Sequence, residues 1–138
     1  MKKRIAIVGG DERVISLIDI LKGMDGIEIT AVCDADRESP AMRYARSISI
    51  KASTDLANTL TVGRPDIIIE TSGSKEFLKV LHHITDSMVK VVDSNAAELL
   101  INIAREKESA KKRGEMYLVK KISGVFAAGY DTHNVTQP

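Results

Sequence analysis

Four short stretches carry residue types suited to holding a phosphate or a sugar hydroxyl: Gly9-Gly10, Asp34, Ser72-Gly73-Ser74 and Asp93-Ser94-Asn95. Each follows an apolar run rich in Ile or Val, so each is expected at the carboxyl end of a strand. In an open parallel sheet flanked by helices, ligands bind at those ends, beside the point where the strand order reverses. Gly9 would give the tight turn after the first strand, and the helix behind it would offer its N-terminal amides to an anion.

Asp34 lies 25 residues after Gly9. That is near the ~20-residue offset of the acid that binds a ribose 2′-hydroxyl in dinucleotide-binding units. A carboxylate there favours NAD over NADP, because it would repel a 2′-phosphate. The glycine pattern departs from G-x-G-x-x-G, since the second glycine position holds Asp11 and the third holds Val14. Asp11 brings a side chain and a negative charge where a pyrophosphate must approach the backbone. Arg13 would neutralise that charge. The competing reading is that Asp11 only serves the helix dipole and that the site has lost its ligand. The expected cofactor-contacting set is Gly9, Gly10, Asp11, Arg13, Asp34, Ser72, Gly73 and Asn95.

These residues need a frame. Ile5–Val8 is a continuous apolar run, as a strand buried on both faces requires. Val14, Ile15, Leu17, Ile18 and Leu21 form a helical stripe ending at Lys22-Gly23. Ile27–Val32 reads as the second strand, and Ser39-Pro40 as the start of the next helix. Ile48 and Ile50 suggest a short third strand, followed by a helix from Thr54-Asp55 with Leu56 and Leu60. Ile67–Ile69 is the most strand-like run, and a helix with Phe77, Leu78, Leu81 and Ile84 follows. Val89, Val91 and Val92 make a fifth strand. Asn95 and Glu98 have capping-box spacing before a long helix, on which Leu99, Leu100, Ile103 and Ala104 form the expected inward stripe with Ile101 off that face. Alternation at this spacing implies βαβ units with right-handed crossovers. The fold class is α/β, a doubly wound, mostly parallel, Rossmann-like sheet of five or six strands.

The chain has 138 residues, one domain's worth, with residues 1–113 as the Rossmann-like domain and 114–138 as a C-terminal extension of helix or strand plus tail. Twenty Lys and Arg against nineteen Asp and Glu leave a net charge of +1, which gives no pull toward nucleic acid or an anionic membrane. The single cysteine, Cys33, excludes an intramolecular disulfide and fits a reducing cytoplasm. No run is long and apolar enough for a membrane helix, so the cytoplasm is the expected compartment. The short basic and apolar N-terminus is interrupted at Asp11, unlike a signal peptide.

Ile5–Gly10, Ala31–Asp36 and Pro65–Ser74 (IAIVGG, AVCDAD, PDIIIETSGS) resemble the N-terminal half of the Gfo/Idh/MocA-type oxidoreductases. They are more similar still to short Rossmann-like domains at the head of bacterial PAS-containing sensor kinases and regulators, with Pro40-Ala41-Met42-Arg43-Tyr44-Ala45 matching a P-x-M-x-Y-A segment there. The resemblance covers about residues 3–106. It implies a cofactor-binding or sensory domain, with the cofactor half of an oxidoreductase as the alternative. In the oxidoreductases the fifth strand leads into a Glu-Lys-Pro segment whose lysine aids hydride transfer. This chain has Asp93-Ser94-Asn95-Ala96, so no catalytic residue is assigned.

Other candidates read as ordinary structure. Tyr117 and Lys121 have Tyr-x-x-x-Lys spacing without the glycine pattern or serine that chemistry needs. His82 and His83 project about 100° apart on a helix, poor geometry for a metal, and none is expected. Cys33 reads as inert core, and Lys111-Lys112-Arg113 as a solvated face. Glu106–Arg113 is too polar to pack on a sheet, so a homodimer is expected through residues 99–121, with Ile101, Met116, Leu118 and Val119 as contacts. The alternative is that Tyr117–Val119 adds a sixth strand.

Overall fold

The structure is a computed structural model that describes the backbone of residues 1–84 and 88–127 and the side chains of residues 1–83 and 88–114. It divides into two units, Met1–Ala104 and Arg105–Pro138. The first holds a parallel sheet of five strands: β1 (Lys3–Val8), β2 (Ile27–Cys33), β3 (Ala52–Ser53), β4 (Ile67–Glu70) and β5 (Lys90–Val92). Between and after them run α1 (Arg13–Lys22), α2 (Pro40–Ser47), α3 (Leu56–Gly63), α4 (Lys75–Ile84) and α5 (Ser94–Ala127). The strand order β3-β2-β1-β4-β5 puts the reversal between β1 and β4. This is the expected doubly wound, Rossmann-like fold.

β1 is central, and its apolar run faces two cores. Ile5 and Ile7 pack with Val14, Leu17 and Ile18 of α1, Met42 and Ala45 of α2, and Ala97 and Ile101 of α5. Ala6 and Val8 pack on the opposite face with Cys33, Ile68 and Leu81. A strand covered on both faces has no polar side, which is why Ile5–Val8 shows no alternation. Arg4 is the second residue of the strand, at its wetter end, where its guanidinium donates to the Gly63 carbonyl at 2.6 Å.

Three local expectations need correction. The third strand is not at Ile48 and Ile50. Ile48 caps the end of α2, Ser49 turns the chain with a φ of 64°, and the strand is Ala52–Ser53. Both isoleucines still pack against the core from the turn, so their apolar character reflects burial without strand pairing. The cap of α5 is Asp93, whose Oδ1 accepts the Ala96 N–H at 3.0 Å, not an Asn95–Glu98 box. The buried face of α5 is also rotated from the expected one. Ala97, Ile101 and Ala104 are buried, whereas Leu99 and Ile103 are 61% and 54% exposed and Leu100 is exposed as well. The buried residues repeat at i, i+4, i+7, and two of the three are alanines that let α5 lie close to the sheet.

In the second unit the described residues are helical through Ala127, so Tyr117–Val119 belongs to α5 and adds no strand to the sheet. Arg105–Lys107 and Ser109–Arg113 are exposed, and Arg113 pairs with Glu106 at 3.1 Å.

Candidate functional site at the carboxyl ends of the strands

The carboxyl ends of β2, β1, β4 and β5 form one rim. β1 ends at Val8, and Gly9 turns with a φ of +125° while its N–H bonds to the Cys33 carbonyl at 2.8 Å. A Cβ on Gly9 would overlap Thr71 Oγ1 and lie 3.2 Å from Thr71 Cβ. That hydroxyl is held in place, since Thr71 Oγ1 donates to the Val8 carbonyl at 2.9 Å. Gly10 meets the other neighbour. A Cβ there would overlap Ser39 Oγ and lie 2.8 Å from Asp34 Cγ and Oδ2. Gly9 is therefore required by its φ and its approach to Thr71, whereas a side chain at Gly10 would have to push aside the ends of the Ser39 and Asp34 side chains.

Asp34 is half-buried at the end of β2, and its Oδ2 accepts the Asp36 N–H at 3.1 Å. Ser39, which caps α2, makes no side-chain cap bond. Its Oγ is buried with no hydrogen-bond partner beside Gly10 and Asp34. Neither Ser39 nor Thr71 stood out in the sequence. Ser-Pro was a helix-start signal only, and Thr71 was one of several small polar residues after β4.

At the end of β4, Glu70 is 1% exposed, yet its carboxylate is hydrogen-bonded. It accepts the Ser72 N–H at 2.7 Å, the Gly73 N–H at 3.2 Å and the Ser72 hydroxyl. Ser72 and Gly73 thus reach the rim as expected, but their amides serve the chain's own carboxylate. Gly73 has a φ of +76° and approaches Ser94 at the start of α5, next to exposed Asn95.

The amino end of α1 is where the structure adds most. The N-cap position is Glu12, without a side-chain cap bond, while Asp11 Oδ1 accepts the Arg13 N–H at 2.9 Å. The Arg13 guanidinium then binds two carboxylates, Asp11 Oδ2 at 2.9 Å and Glu98 of α5. The hydrogen bond and charge of Arg13 hold the Asp11 carboxyl below its ordinary value, and both carboxylates push the Arg13 pKa up. Sequence spacing suggested that Arg13 neutralises Asp11. The spacing suggests a capping role for Glu98 instead, because a contact across 85 positions leaves no local signal.

Beside Asp34, an open groove of about 250 Å³ is lined by Arg37, Met42, Arg46, Ala52, Ser53 and Thr54. Arg46 is engaged there by the Arg37 carbonyl at 2.7 Å and by Glu38 at 3.4 Å. Cys33 is buried, and burial raises its thiol pKa, as suits a core residue. His82 and His83 lie exposed in the last turn of α4. Among the described residues no three His, Cys, Asp or Glu side chains converge for a metal, and no helix is long and apolar enough to cross a membrane. Backbone geometry places Tyr117 and Lys121 on α5, but their side chains lie outside the described residues, as does all of His133.

Comparison with solved structures gives the same architecture. GenD2 from gentamicin A biosynthesis, solved in complex with NAD, matches 78% of this chain and 32% of its own at 15% identity and a TM-score of 0.57. Myo-inositol 2-dehydrogenase from Lactobacillus plantarum matches 78% and 34% at 13% identity and a TM-score of 0.54. An NAD-binding protein from Listeria innocua matches 78% and 33% at 14% identity, also at 0.54. What they share is the fold. The chain spans about a third of the length of each of these three proteins. No protein-family model matches it, and no curated protein matches it in sequence.

Proposed function

We propose that this chain is a dinucleotide-binding Rossmann-like module with a non-catalytic, sensory or regulatory role. The observation that carries the reading is the meeting of Asp34 with Gly10 at the carboxyl ends of adjacent strands, beside the reversal of strand order. Asp34 would hold the ribose hydroxyls, and its charge selects NAD(H) over NADP(H). Gly9 and Gly10 would let the pyrophosphate approach the β1 turn, with Arg13 as its cation. Ser72, Gly73 and Asn95 would line the far side of the crevice. The nicotinamide, when bound, would supply hydride chemistry, but Asp93-Ser94-Asn95-Ala96 stands where the resemblance to oxidoreductases would require a Glu-Lys-Pro segment, and none of these residues is a lysine. Similarity in fold to a protein solved with NAD and to another described as NAD-binding supports the cofactor class.

The second reading is the cofactor half of a Gfo/Idh/MocA-type oxidoreductase. It is favoured by the one-third coverage of larger proteins, a dehydrogenase among them. A titration with NADH and NADPH decides the first point. NADH should bind tighter, and Asp34→Ala should weaken it by about 1–3 kcal/mol and erase the preference. Equal affinity of the unmutated protein for both would refute the role of Asp34. Reduction of NAD with sugars or polyols would support the oxidoreductase reading.

We also propose a homodimer and assign it to the outward face of α5. Of the expected contacts, Ile101 is in the core and the side chains of Met116, Leu118 and Val119 lie outside the described residues; the exposed apolar residues of the described part of the helix are Leu99, Leu100 and Ile103. Light scattering of the intact chain and of Leu99→Glu/Ile103→Glu tests it, and a monomer in both cases refutes it.

A further inference from the structure

The amino end of α1 is the place a pyrophosphate would use, yet the chain has put its own carboxylate there. Asp11 Oδ1 takes the Arg13 N–H at 2.9 Å and lies 3.3 Å from Arg13 Nε. Val14 N–H and Ile15 N–H turn back to the carbonyls of Asp11 and Glu12 at 3.0 and 3.1 Å. Arg13, the one cation of the cluster, is shared between Asp11 and Glu98. Two carboxylates and one guanidinium leave the cluster at −1, and a pyrophosphate would bring further negative charge onto it.

Glu98 is not a neutral place to anchor that cation. It stands on α5 between Ala97, wholly buried, and Ile101, 1% exposed, both packed into the core that α1 shares. Arg13 thereby ties the phosphate turn to the helix that continues out of the first unit.

We propose that Asp11, Arg13 and Glu98 form an autoinhibitory latch, in which a pyrophosphate must win Arg13 from Glu98 before it can sit at the turn. This rests on the dinucleotide reading above. On this account a turn that carries Asp11 in place of glycine takes an anion only once the Arg13 guanidinium leaves Glu98. Binding then leaves Glu98 without its partner on α5, so occupancy of the crevice is converted into a change on that helix. Arg13 is both the ligand's cation and the bolt of the latch, whereas Glu98 is a positioning residue that never touches the ligand.

The test compares the full chain with Glu98→Gln and Asp11→Asn, using NADH and inorganic pyrophosphate as separate probes in calorimetric titrations. Glu98→Gln should tighten both probes by about three- to tenfold, the effect of one partly screened unit charge at this range. The gain should shrink between about 0.05 M and about 0.5 M salt, because an exposed charge is screened within a Debye length. Hydrogen exchange over residues 94–101 should rise on NADH binding in the unmutated chain and stay unchanged in Glu98→Gln. Asp11→Asn should tighten both probes as well. A merely structural Glu98 would alter stability but neither the salt-dependent gain nor the exchange response. If NADH binds all three chains equally, the latch is refuted and the dinucleotide reading stands. If pyrophosphate tightens in Glu98→Gln while NADH binds no chain, the latch stands and the dinucleotide reading falls. If neither probe binds any chain, both are refuted.

Discussion

Replacing Gly9 by alanine measures how much of the first turn belongs to the fold. At a φ of +125° a side chain is strained, at a cost of about 1–3 kcal/mol. The new methyl would also overlap Thr71 Oγ1 and press to 3.2 Å on Thr71 Cβ. Relieving that overlap turns the hydroxyl away from the Val8 carbonyl, losing a buried hydrogen bond worth about 1 kcal/mol. Residual crowding adds about 1–2 kcal/mol. The sum is about 3–6 kcal/mol, a large share of the stability of a domain this size. Thr71→Ala alone should cost about 1–2 kcal/mol. Combined with Gly9→Ala, it should recover about 1–2 kcal/mol of the expected sum, because the overlap with Oγ1 is gone while the backbone strain stays. The chain has no tryptophan, so urea unfolding is best followed by circular dichroism at the helix signal. A cost below about 1 kcal/mol for Gly9→Ala, or strict additivity with Thr71→Ala, would refute the close approach.

Three further outcomes follow from particular contacts. Ile101→Ala should cost about 2–4 kcal/mol in the same urea assay and Leu99→Ala less than about 1 kcal/mol, and the reverse order would restore the face expected from hydropathy. Ser39→Ala should be neutral or stabilise by up to about 1 kcal/mol, since it removes a buried hydroxyl without a partner and loses no cap bond; a loss above about 1 kcal/mol would mean the hydroxyl is satisfied. Because Arg13 lowers the Asp11 pKa, that contribution to stability is complete above the ordinary value of 3.8 and is lost as the pH falls below it, so Asp11→Asn should flatten the acid limb of a stability–pH curve.

The parts of this fold that could be read from sequence are those where burial is continuous. Ile5–Val8 and Ile67–Ile69 sit between two helical layers, so every position is apolar and the run itself is the signal. β3 has two residues and no such run, and the isoleucines nearby are buried by the turn that precedes it. On α5 the larger apolar residues Leu99, Leu100 and Ile103 point outward, against the face that their hydropathy suggests. Ala97 and Ala104 are buried there instead, and an alanine weighs less in a hydropathy pattern than a leucine or isoleucine although it allows close packing. In the site, Gly9, Gly10 and Asp34 were found because their spacing along the chain follows from one βαβ unit. Ser39, Thr71 and Glu98 were not, because each acquires its meaning from a neighbour that only the tertiary fold supplies.

The two ends of the sheet are very short, two residues in β3 and three in β5. A sheet margin of that length exposes only a few unpaired amides and carbonyls, too few to template an incoming strand. β5 also opens with exposed Lys90, a charge that disfavours stacking of a second sheet margin against it. Lateral growth of the sheet from chain to chain is thereby blocked on both sides. Any association between copies is thereby steered away from the open-ended strand addition that leads to fibres.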